Sequence, residues 1–213
     1  MAYLRTIATV TTPPERVALT TVERVKAELA ITVDTHDDLL AAKIREASSD
    51  IEAQCRRGFG LAGYTERFWG DVDCVEYLVL RQYPVVSITN VTVDDVAIDA
   101  GEYRLDPGTG MLYRLDATGL PSAWSWGKDI VVVYSGGYEL PGAENPTLPA
   151  VLQAAAVELM TQYWTARGRD PSIRSEDVPG LGAVSYWVGA VGVSGELPPS
   201  VMSKILPFRR PQI

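Results

Sequence analysis

The sequence predicts an α+β protein, in which a small helical bundle carries an inserted antiparallel β-hairpin or sheet element and an extended C-terminal arm. Apolar residues recur with helical spacing near residues 21–57 and 148–167, and with a period of two across residues 64–138. The strand-like runs are too close together for crossover helices, so the insert is expected to be antiparallel. Residues 1–169 are thus predicted to form one domain, followed over residues 170–213 by an extended arm, a short helix and a tail.

The first two helices are predicted at about 21–30 and 37–57. Thr20 and Glu23 have the spacing of a capping box, in which each side chain bonds to the other residue's backbone N–H. Thr35 is expected to cap the second helix. The residues predicted to face inward are Val22, Val25 and Leu29 in the first helix and Leu40, Ile44, Ala47 and Ile51 in the second.

The end of the second helix and the position of a third helix can also be predicted. Gly58 and Gly60 are expected to end the second helix, since glycine commonly terminates helices. The third helix is predicted at about 148–167, with Thr147 as its cap. Its alanine-rich side, at Ala155 and its neighbours, would allow another helix to approach closely.

The β insert contains a clear hairpin signal, EYRLDPGTGMLYRL, at residues 102–115. Pro107 presets a turn dihedral, and Gly108 and Gly110 are expected to supply the positive φ values that tight hairpin loops need. The strand residues that fit a period of two are Tyr103, Leu105, Met111 or Leu112, and Tyr113.

The C-terminal part of the chain has a different character. Residues 170–196 are rich in Gly, Ser and Val without a lasting period, which is typical of an extended arm or a loose hairpin. Residues 197–213 suggest one short helix between prolines. Such a segment is expected to bury little by itself and to require a partner.

Composition indicates a globular protein made in the cytoplasm. The chain has 213 residues, of which 46% are hydrophobic, enough to bury a sizeable core. It contains no run of about 20 apolar residues, and its N-terminus lacks the pattern of a signal peptide. Cys55 and Cys74 are too few for a disulfide scaffold or a metal knuckle and are expected to be reduced thiols.

The negative charge is concentrated in the middle of the chain. Residues 65–145 hold 13 acidic and 5 basic side chains, and the whole chain has a formal net charge of −8. Affinity for the DNA backbone comes from Lys and Arg, so nonspecific DNA binding is not expected. Most of these carboxylates are predicted to form a solvated surface.

No motif indicates catalysis. His36, the single histidine, lies beside Asp34 and Asp37 at a predicted helix start, where an exposed capping region explains it better than a base or a metal ligand. The sequence has no nucleophile motif, metal-binding motif or phosphate-binding loop. The chain is therefore predicted not to be an enzyme, with no catalytic residue, metal site or cofactor.

The tryptophans raise a second possibility. Trp124 and Trp126 could stack on bases or sugars, although indoles spaced this way more often anchor a loop to a core or an interface. Tyr186 and Trp187 lie in the low-complexity arm without an obvious internal core. They are therefore predicted to contact another subunit, and Ala155 is a third candidate for that contact.

The order of these segments resembles that of the phage head–tail connector (adaptor) family, known from tailed phages, prophages and gene transfer agents. The resemblance covers about residues 18–168, with a possible extension to LPPSVMSKILPFRRP. Its segments are LTTVERVKAELAI, DDLLAAKIREASSDIEAQCRRGF, PVVSITNVTVDDVAIDAGEYRLDPGTGMLYRL, IVVVYSGGY and LPAVLQAAAVELMTQYW. The β block and arm are longer here than in the compact, nearly all-helical connectors.

The resemblance implies a structural protein of the virion neck. It implies a homo-oligomeric, dodecameric ring beneath the portal protein, which extends the DNA channel without sequence-specific DNA binding and offers a platform to a stopper or tail-completion protein. The resemblance implies no membrane partner. The C-terminal segment is implied to contact the portal. The candidate portal-binding residues are Leu206, Phe208, Arg209, Arg210 and Ile213.

Two alternatives remain at this point. Another neck component, such as a stopper, would be dominated by a β-barrel, against which the long helices argue. A small carbohydrate-binding or hydrolytic module would use the loop of Trp124 and Trp126 with nearby aspartates.

Overall fold

The computed structural model describes residues 4–70, 74–125, 129–167, 175–178, 182–185 and 197–210. The chain divides into two compact units: the β unit, formed by Met1–Arg16 and Gly60–Tyr138, and the helical unit, formed by Val17–Phe59 and Glu139–Ile213. The α+β class predicted from the sequence is confirmed. Each unit builds its own apolar core from two separate stretches of chain, and the single domain over residues 1–169 stays a prediction.

The β unit contains two main antiparallel sheets. A five-stranded sheet has the order β1-β2-β11-β5-β6, and a four-stranded sheet has the order β4-β8-β7 with β9 beside β8; β3 pairs with β10. The strands are β1 (Leu4–Thr12), β2 (Ala62–Gly70), β3 (Cys74–Val75), β4 (Tyr77–Val79), β5 (Val85–Val93), β6 (Val96–Ala97), β7 (Tyr103–Asp106), β8 (Met111–Leu115), β9 (Pro121–Ser122), β10 (Trp124–Ser125) and β11 (Ile130–Gly136). A 3-10 helix spans Ala100–Glu102.

The two main sheets share one apolar core. Phe68 and Ile130 come from the five-stranded sheet, and Leu78 and Leu112 come from the four-stranded sheet; all four are fully buried. Each side chain of this size contributes about 1.5–3 kcal/mol when fully buried. Strand β11 alternates buried and half-buried residues along its length, which is the period of two seen in the sequence.

Strand β1 is absent from the predicted elements. It pairs with β2 in a regular antiparallel register from Leu4 to Val10, with a shift before Thr12. Most of its described side chains are exposed or half-buried, so they carry little of the apolar alternation by which strands are recognised. The strand is fixed by a partner that lies about 50 residues further along the chain.

The hairpin of β7 and β8 confirms the strongest turn signal of the sequence. Asp106 pairs with Met111, and its carboxylate accepts hydrogen bonds from the N–H of Gly108 (3.1 Å) and the hydroxyl of Thr109 (2.7 Å). Gly110 closes the turn with φ of +73°, and its N–H donates to the carbonyl of Asp106 at 2.9 Å. The positive φ expected at Gly108 is wrong, because the bonds to Asp106 hold the first part of the turn in ordinary backbone geometry.

The two glycines of this turn are therefore expected to differ when replaced by alanine. A Cβ on Gly110 would stand 3.0 Å from the carbonyl oxygen of Leu80, at a φ that disfavours side chains. Gly110→Ala should lower the free energy of unfolding by about 1–3 kcal/mol. Gly108→Ala is the matched control, since its Cβ would find only Asp106 Oδ1 at 3.6 Å. Urea unfolding measures both, and equal effects would contradict this account of the turn.

The helical unit is built from α1 (Val22–Leu29), α2 (Asp37–Cys55), α3 (Ala150–Thr165) and α4 (Pro199–Ile205), with a 3-10 turn at Leu206–Phe208. Helix α3 packs against each of the other three helices. The chain of this unit also contains an antiparallel hairpin, β12 (Ser175–Val178) and β13 (Gly182–Ser185). The buried apolar residues on the helices include Val25, Leu40, Ile44, Ala47, Ile51, Leu152, Ala156, Leu159 and Met160.

The N-terminal caps of the first two helices differ from the predicted ones. Thr21 caps α1, and its hydroxyl accepts from the N–H of Arg24 at 3.3 Å. Thr20, the expected cap, is buried instead. His36 occupies the cap position of α2 without a side-chain hydrogen bond, so Thr35 does not cap this helix. Threonines that stand side by side offer the same capping chemistry, and the backbone geometry selects between them.

The remaining helix ends also depart from the predicted signals. Helix α2 ends where Arg56 adopts a left-handed conformation with φ of +56°, before Gly58 is reached. Pro149 occupies the N-cap position of α3. The hydroxyl of Thr147, the expected cap, accepts from the N–H of Glu139 at 3.0 Å and so stabilises the loop before the helix.

Candidate interaction surfaces

The C-terminal segment is packed into the helical unit. Leu197, Val201 and Ile205 are buried, the last two at 0% and 1% exposure. The backbone N–H of Arg210 donates to the carbonyl of Cys55 at 3.0 Å. The expectation that this segment buries little by itself is wrong for residues 197–210, because α3 and the end of α2 supply the apolar surface that it lacks.

A polar contact reinforces the attachment of α4 to α3. The carboxylate of Glu158 accepts hydrogen bonds from Lys204 and Ser200 of α4. Partial burial acts to raise the pKa of Glu158, but these hydrogen bonds outweigh it and hold the pKa below its ordinary value. Glu158 is therefore ionised at neutral pH, and the ion pair with Lys204 is complete.

The residues predicted to bind the portal differ in their exposure to solvent. Leu206 is 59% exposed and Arg209 is also exposed; the N–H of Arg209 donates to the carbonyl of Leu206 at 3.2 Å, so the two lie on one turn. Phe208 is half-buried and meets the ring of Phe59 edge-to-face at 6.5 Å. Arg210 is half-buried, and Ile213 lies outside the described residues.

The residues predicted to contact another subunit are placed differently. Ala155 is fully buried within the helical unit. The close helix approach that small side chains allow is therefore used inside the chain. Tyr186 and Trp187 lie outside the described residues, so their subunit contact stays a prediction.

Trp124 attaches β10 to strand β8 of the four-stranded sheet and lies in the core of the β unit. Its side chain is 1% exposed, and its indole N–H donates to the carbonyl of Leu112 at 3.0 Å. The guanidinium of Arg114 lies over the ring at 5.8 Å. A ring held in this way has no free face for a sugar or a base, and the neighbouring Trp126 lies outside the described residues.

His36 lies among charges that already have a partner. The ammonium of Lys26 bonds to Asp34 at 2.5 Å and to Asp37 at 2.8 Å. The imidazole packs edge-on against Trp164, with ring centroids 5.6 Å apart. In the described part of the chain, no cluster of three or more His, Cys, Asp or Glu is arranged to hold a metal ion, and no helix has the length and apolar character needed to cross a membrane.

A buried carboxylate at the centre of the β unit is a feature that the sequence analysis missed. Glu66 on β2 is fully buried. It accepts hydrogen bonds from the hydroxyl of Thr6 (2.7 Å), the N–H of Arg81 (2.8 Å) and the hydroxyl of Tyr134 (2.9 Å). The hydroxyl of Tyr134 also accepts from the N–H of Gln82 at 3.1 Å. Burial, and after it the charge of Glu66, raises the pKa of Tyr134, so the phenol stays protonated.

This network attaches β1 to the rest of the sheet. Thr6 bonds to Glu66 through its side chain, and its carbonyl accepts from the guanidinium of Arg81 at 2.9 Å. The sequence does contain a signal for the burial of Glu66. Side chains two residues apart on a strand face the same side of the sheet, so Glu66 faces the same side as Tyr64 and Phe68, and Phe68 is a core residue.

Comparisons with known proteins agree with the predicted resemblance. The family described as phage gp6-like head-tail connector protein matches residues 19–88. That stretch contains α1 and α2 and continues through β2 into β5. No curated protein matches the chain.

Solved structures with the same fold cover nearly the whole chain. A chain of the neck of an empty gene transfer agent (GTA) particle, computed with C6 symmetry, has a TM-score of 0.58 at 19% identity over 97% of both chains. A chain of the virion of a native GTA particle has a TM-score of 0.56 at 18% identity, again over 97% of both chains. A chain of the neck of a native GTA particle, computed with C12 symmetry, has a TM-score of 0.56 at 19% identity over 97% of both. The resemblance to the head–tail connector family is confirmed.

Proposed function

We propose that this protein of the phage head–tail connector type is a structural subunit of the virion neck and acts by assembly rather than by catalysis. The observation that carries the proposal is the connector-family match over residues 19–88. The fold shared with GTA neck chains over 97% of the sequence supports the same role for the remainder. The burial of Trp124 removes the main support for a carbohydrate-binding module.

The proposed assembly is a homo-oligomeric ring of twelve copies beneath the portal protein. The C12 symmetry of one neck with the same fold supports this number. The ring extends the DNA channel and offers a platform to a stopper or tail-completion protein. The net charge of −8 suits a channel or a rim that DNA passes without binding, since phosphates are repelled by carboxylates.

The proposed portal contact is the turn that follows α4. Leu206 is an exposed apolar side chain held on a rigid, packed segment, which lowers the entropy lost on binding. Arg209 is exposed beside it and can pair with a portal carboxylate. Phe208 and Arg210 stabilise the turn from within, and Ile213 stays a candidate for the same contact.

Binding of the full chain to the portal protein of the same genome tests this function. Light scattering and electron microscopy of the mixture should find a ring of copies on the portal. The variant Leu206→Ser/Arg209→Glu is expected to weaken binding by at least about tenfold, the equivalent of 1.4 kcal/mol. Val151→Ser is the control, because Val151 is a 48% exposed apolar residue of the same unit. An unchanged affinity of the double variant would reject this contact, and absence of any portal binding would reject the function.

Cys55 provides a second readout of the same complex. Its sulfur lies 3.8 Å from the carbonyl of Ile205, and burial raises the pKa of the thiol to about 11. Iodoacetamide should therefore modify the exposed Cys74 and spare Cys55. In a Cys74→Ser background, continued protection of Cys55 on the portal is expected if the segment stays packed while it binds. Rapid modification on the portal would instead show that residues 197–210 leave the helical unit.

A further inference from the structure

Strand β1 forms one edge of the five-stranded sheet. Within the described residues, β1 pairs with β2 alone, and the only other hydrogen bond to its backbone comes from Arg81 to the carbonyl of Thr6. No other hydrogen bond among the described residues reaches the backbone of the strand from outside, and Ile7 and Val10 are 57% and 53% exposed. Long edges with exposed apolar residues favour pairing with another strand, and natural proteins usually protect them.

The first part of β5 lies at the opposite edge of the sheet. Strand β6 pairs only with Thr92 and Val93 of β5, and the N–H of Ile98 bonds to the carbonyl of Val91. Among the described residues, no strand pairs with the outer edge of residues 86–90. Val86 in this stretch is 61% exposed. Within the described residues, both edges of one sheet are thus unpaired over five to six residues, a length of about 17–20 Å, and each carries an exposed apolar side chain.

The strand directions make these two edges complementary. The ladder β1-β2-β11-β5 is antiparallel at every step, so β1 and β5 run in opposite directions. When a second copy in the same orientation is placed beside the first, its β5 meets β1 in an antiparallel sense and continues the alternation. Such a head-to-tail contact uses two different surfaces and can repeat, as a cyclic ring requires.

The charged residues near the two edges also favour a second copy of the chain as the partner. In an antiparallel alignment of residues 7–12 with residues 86–90, Arg5 would lie near the end of β5 in the next copy. The exposed Asp95 lies in the turn just after that end, in the left-handed region with φ of +63°. A basic residue of one edge would therefore lie near an acidic residue beside the other edge, and two copies of the β1 edge would not bring these two residues together.

We propose that the β1 edge of one copy pairs with the residue 86–90 edge of β5 in the next copy, so that the five-stranded sheet continues from subunit to subunit. This inference rests on the proposed ring, for which it supplies the contact between neighbours. It is independent of the portal and can be measured without it.

Lysine substitutions at the two edges test the pairing. Ile7→Lys and Val86→Lys replace exposed side chains, so each variant should fold, as circular dichroism would verify. Each is expected to weaken self-association by at least about tenfold. Leu120→Lys is the control, since Leu120 is a 63% exposed residue of the β unit outside both edges, and it should assemble normally.

Mixing the two variants gives the decisive measurement. Ile7→Lys keeps an intact β5 edge and Val86→Lys keeps an intact β1 edge, so an equimolar mixture should form a dimer that cannot grow. Sedimentation velocity would then find twice the 23.2 kDa mass only in the mixture. A Val86→Lys chain that dimerises by itself would instead indicate two-fold pairing of β1 with β1 and overturn the proposal.

Two further outcomes separate this inference from the proposed function. A wild-type chain that stays monomeric up to about 1 mM, the concentration at which a contact of −4.1 kcal/mol is half-formed, would overturn the edge pairing. Portal binding by that same monomer would leave the proposed function standing. Loss of portal binding in Ile7→Lys but not in Val86→Lys would identify a portal strand as the partner of β1 and also overturn the proposal.

Discussion

Replacement of Glu66 by alanine is expected to lower the free energy of unfolding of the β unit by about 3–5 kcal/mol. The carboxylate is fully buried, and the change leaves the hydroxyl of Thr6 and the N–H of Arg81 without their partner. Tyr134 loses the acceptor for its hydroxyl proton at the same time. Each buried polar group left unpaired costs about 1–3 kcal/mol, and Arg81 also loses its opposite charge.

Urea unfolding followed by circular dichroism measures this loss. Glu66→Gln is the informative companion: it keeps the volume but presents an N–H₂ group where one oxygen accepted, so an intermediate loss is expected. Glu15→Ala is the control, because Glu15 belongs to an exposed pair with Arg16 and should change stability by less than about 1 kcal/mol. A Glu66→Ala protein as stable as the Glu15→Ala protein would refute the structural role of the network.

Replacement of Trp124 by alanine is the second change with a large expected effect. The indole is buried between the two sheets, and its removal leaves a cavity that surrounding side chains fill only in part. The expected loss of unfolding free energy is about 3–5 kcal/mol. Trp124→Phe retains a ring but lacks the N–H that donates to Leu112, so it should lose less.

The same pair of variants separates the structural role of Trp124 from a role in binding. Thermal unfolding should rank the proteins wild type, Trp124→Phe, Trp124→Ala in decreasing stability. A sugar-binding module would show a different result, with wild-type stability and lost ligand affinity. Wild-type stability of Trp124→Ala would therefore reopen the carbohydrate-binding alternative.

The sequence predicts elements whose signal is local. Strand β11 alternates over seven residues and α2 repeats its apolar stripe over 19 residues, and both are confirmed within about two residues. Strand β1 shows the opposite case. Its side chains are mostly exposed, and its place is set by Glu66 and by pairing with β2, which no short window of sequence contains.

The candidate surface at the C-terminus also has one feature that the local sequence predicts and one that it does not. The prolines on either side predict the short helix, which is present as α4. The packing of Val201 and Ile205 could not be read locally, because α4 packs on α3 and Ile205 lies beside Cys55 of α2, both earlier in the sequence. The exposure of Leu206 can be predicted only once Val201 and Ile205 are known to face inward. The capping residues show a finer limit, since Thr20 and Thr21 have the same chemistry and differ only in backbone placement.

The interleaved order of the two units has a consequence for synthesis. Strand β1 is made first, but β2 begins at Ala62, so at about 5–20 residues per second its partner emerges several seconds later. The helical unit begins next and waits in turn for α3 and for α4, which ends at Ile205. The β unit cannot close until β11 has been made, and the helical unit cannot close until α4 has been made. A chain that stops before these elements would therefore leave apolar segments of both units unpaired.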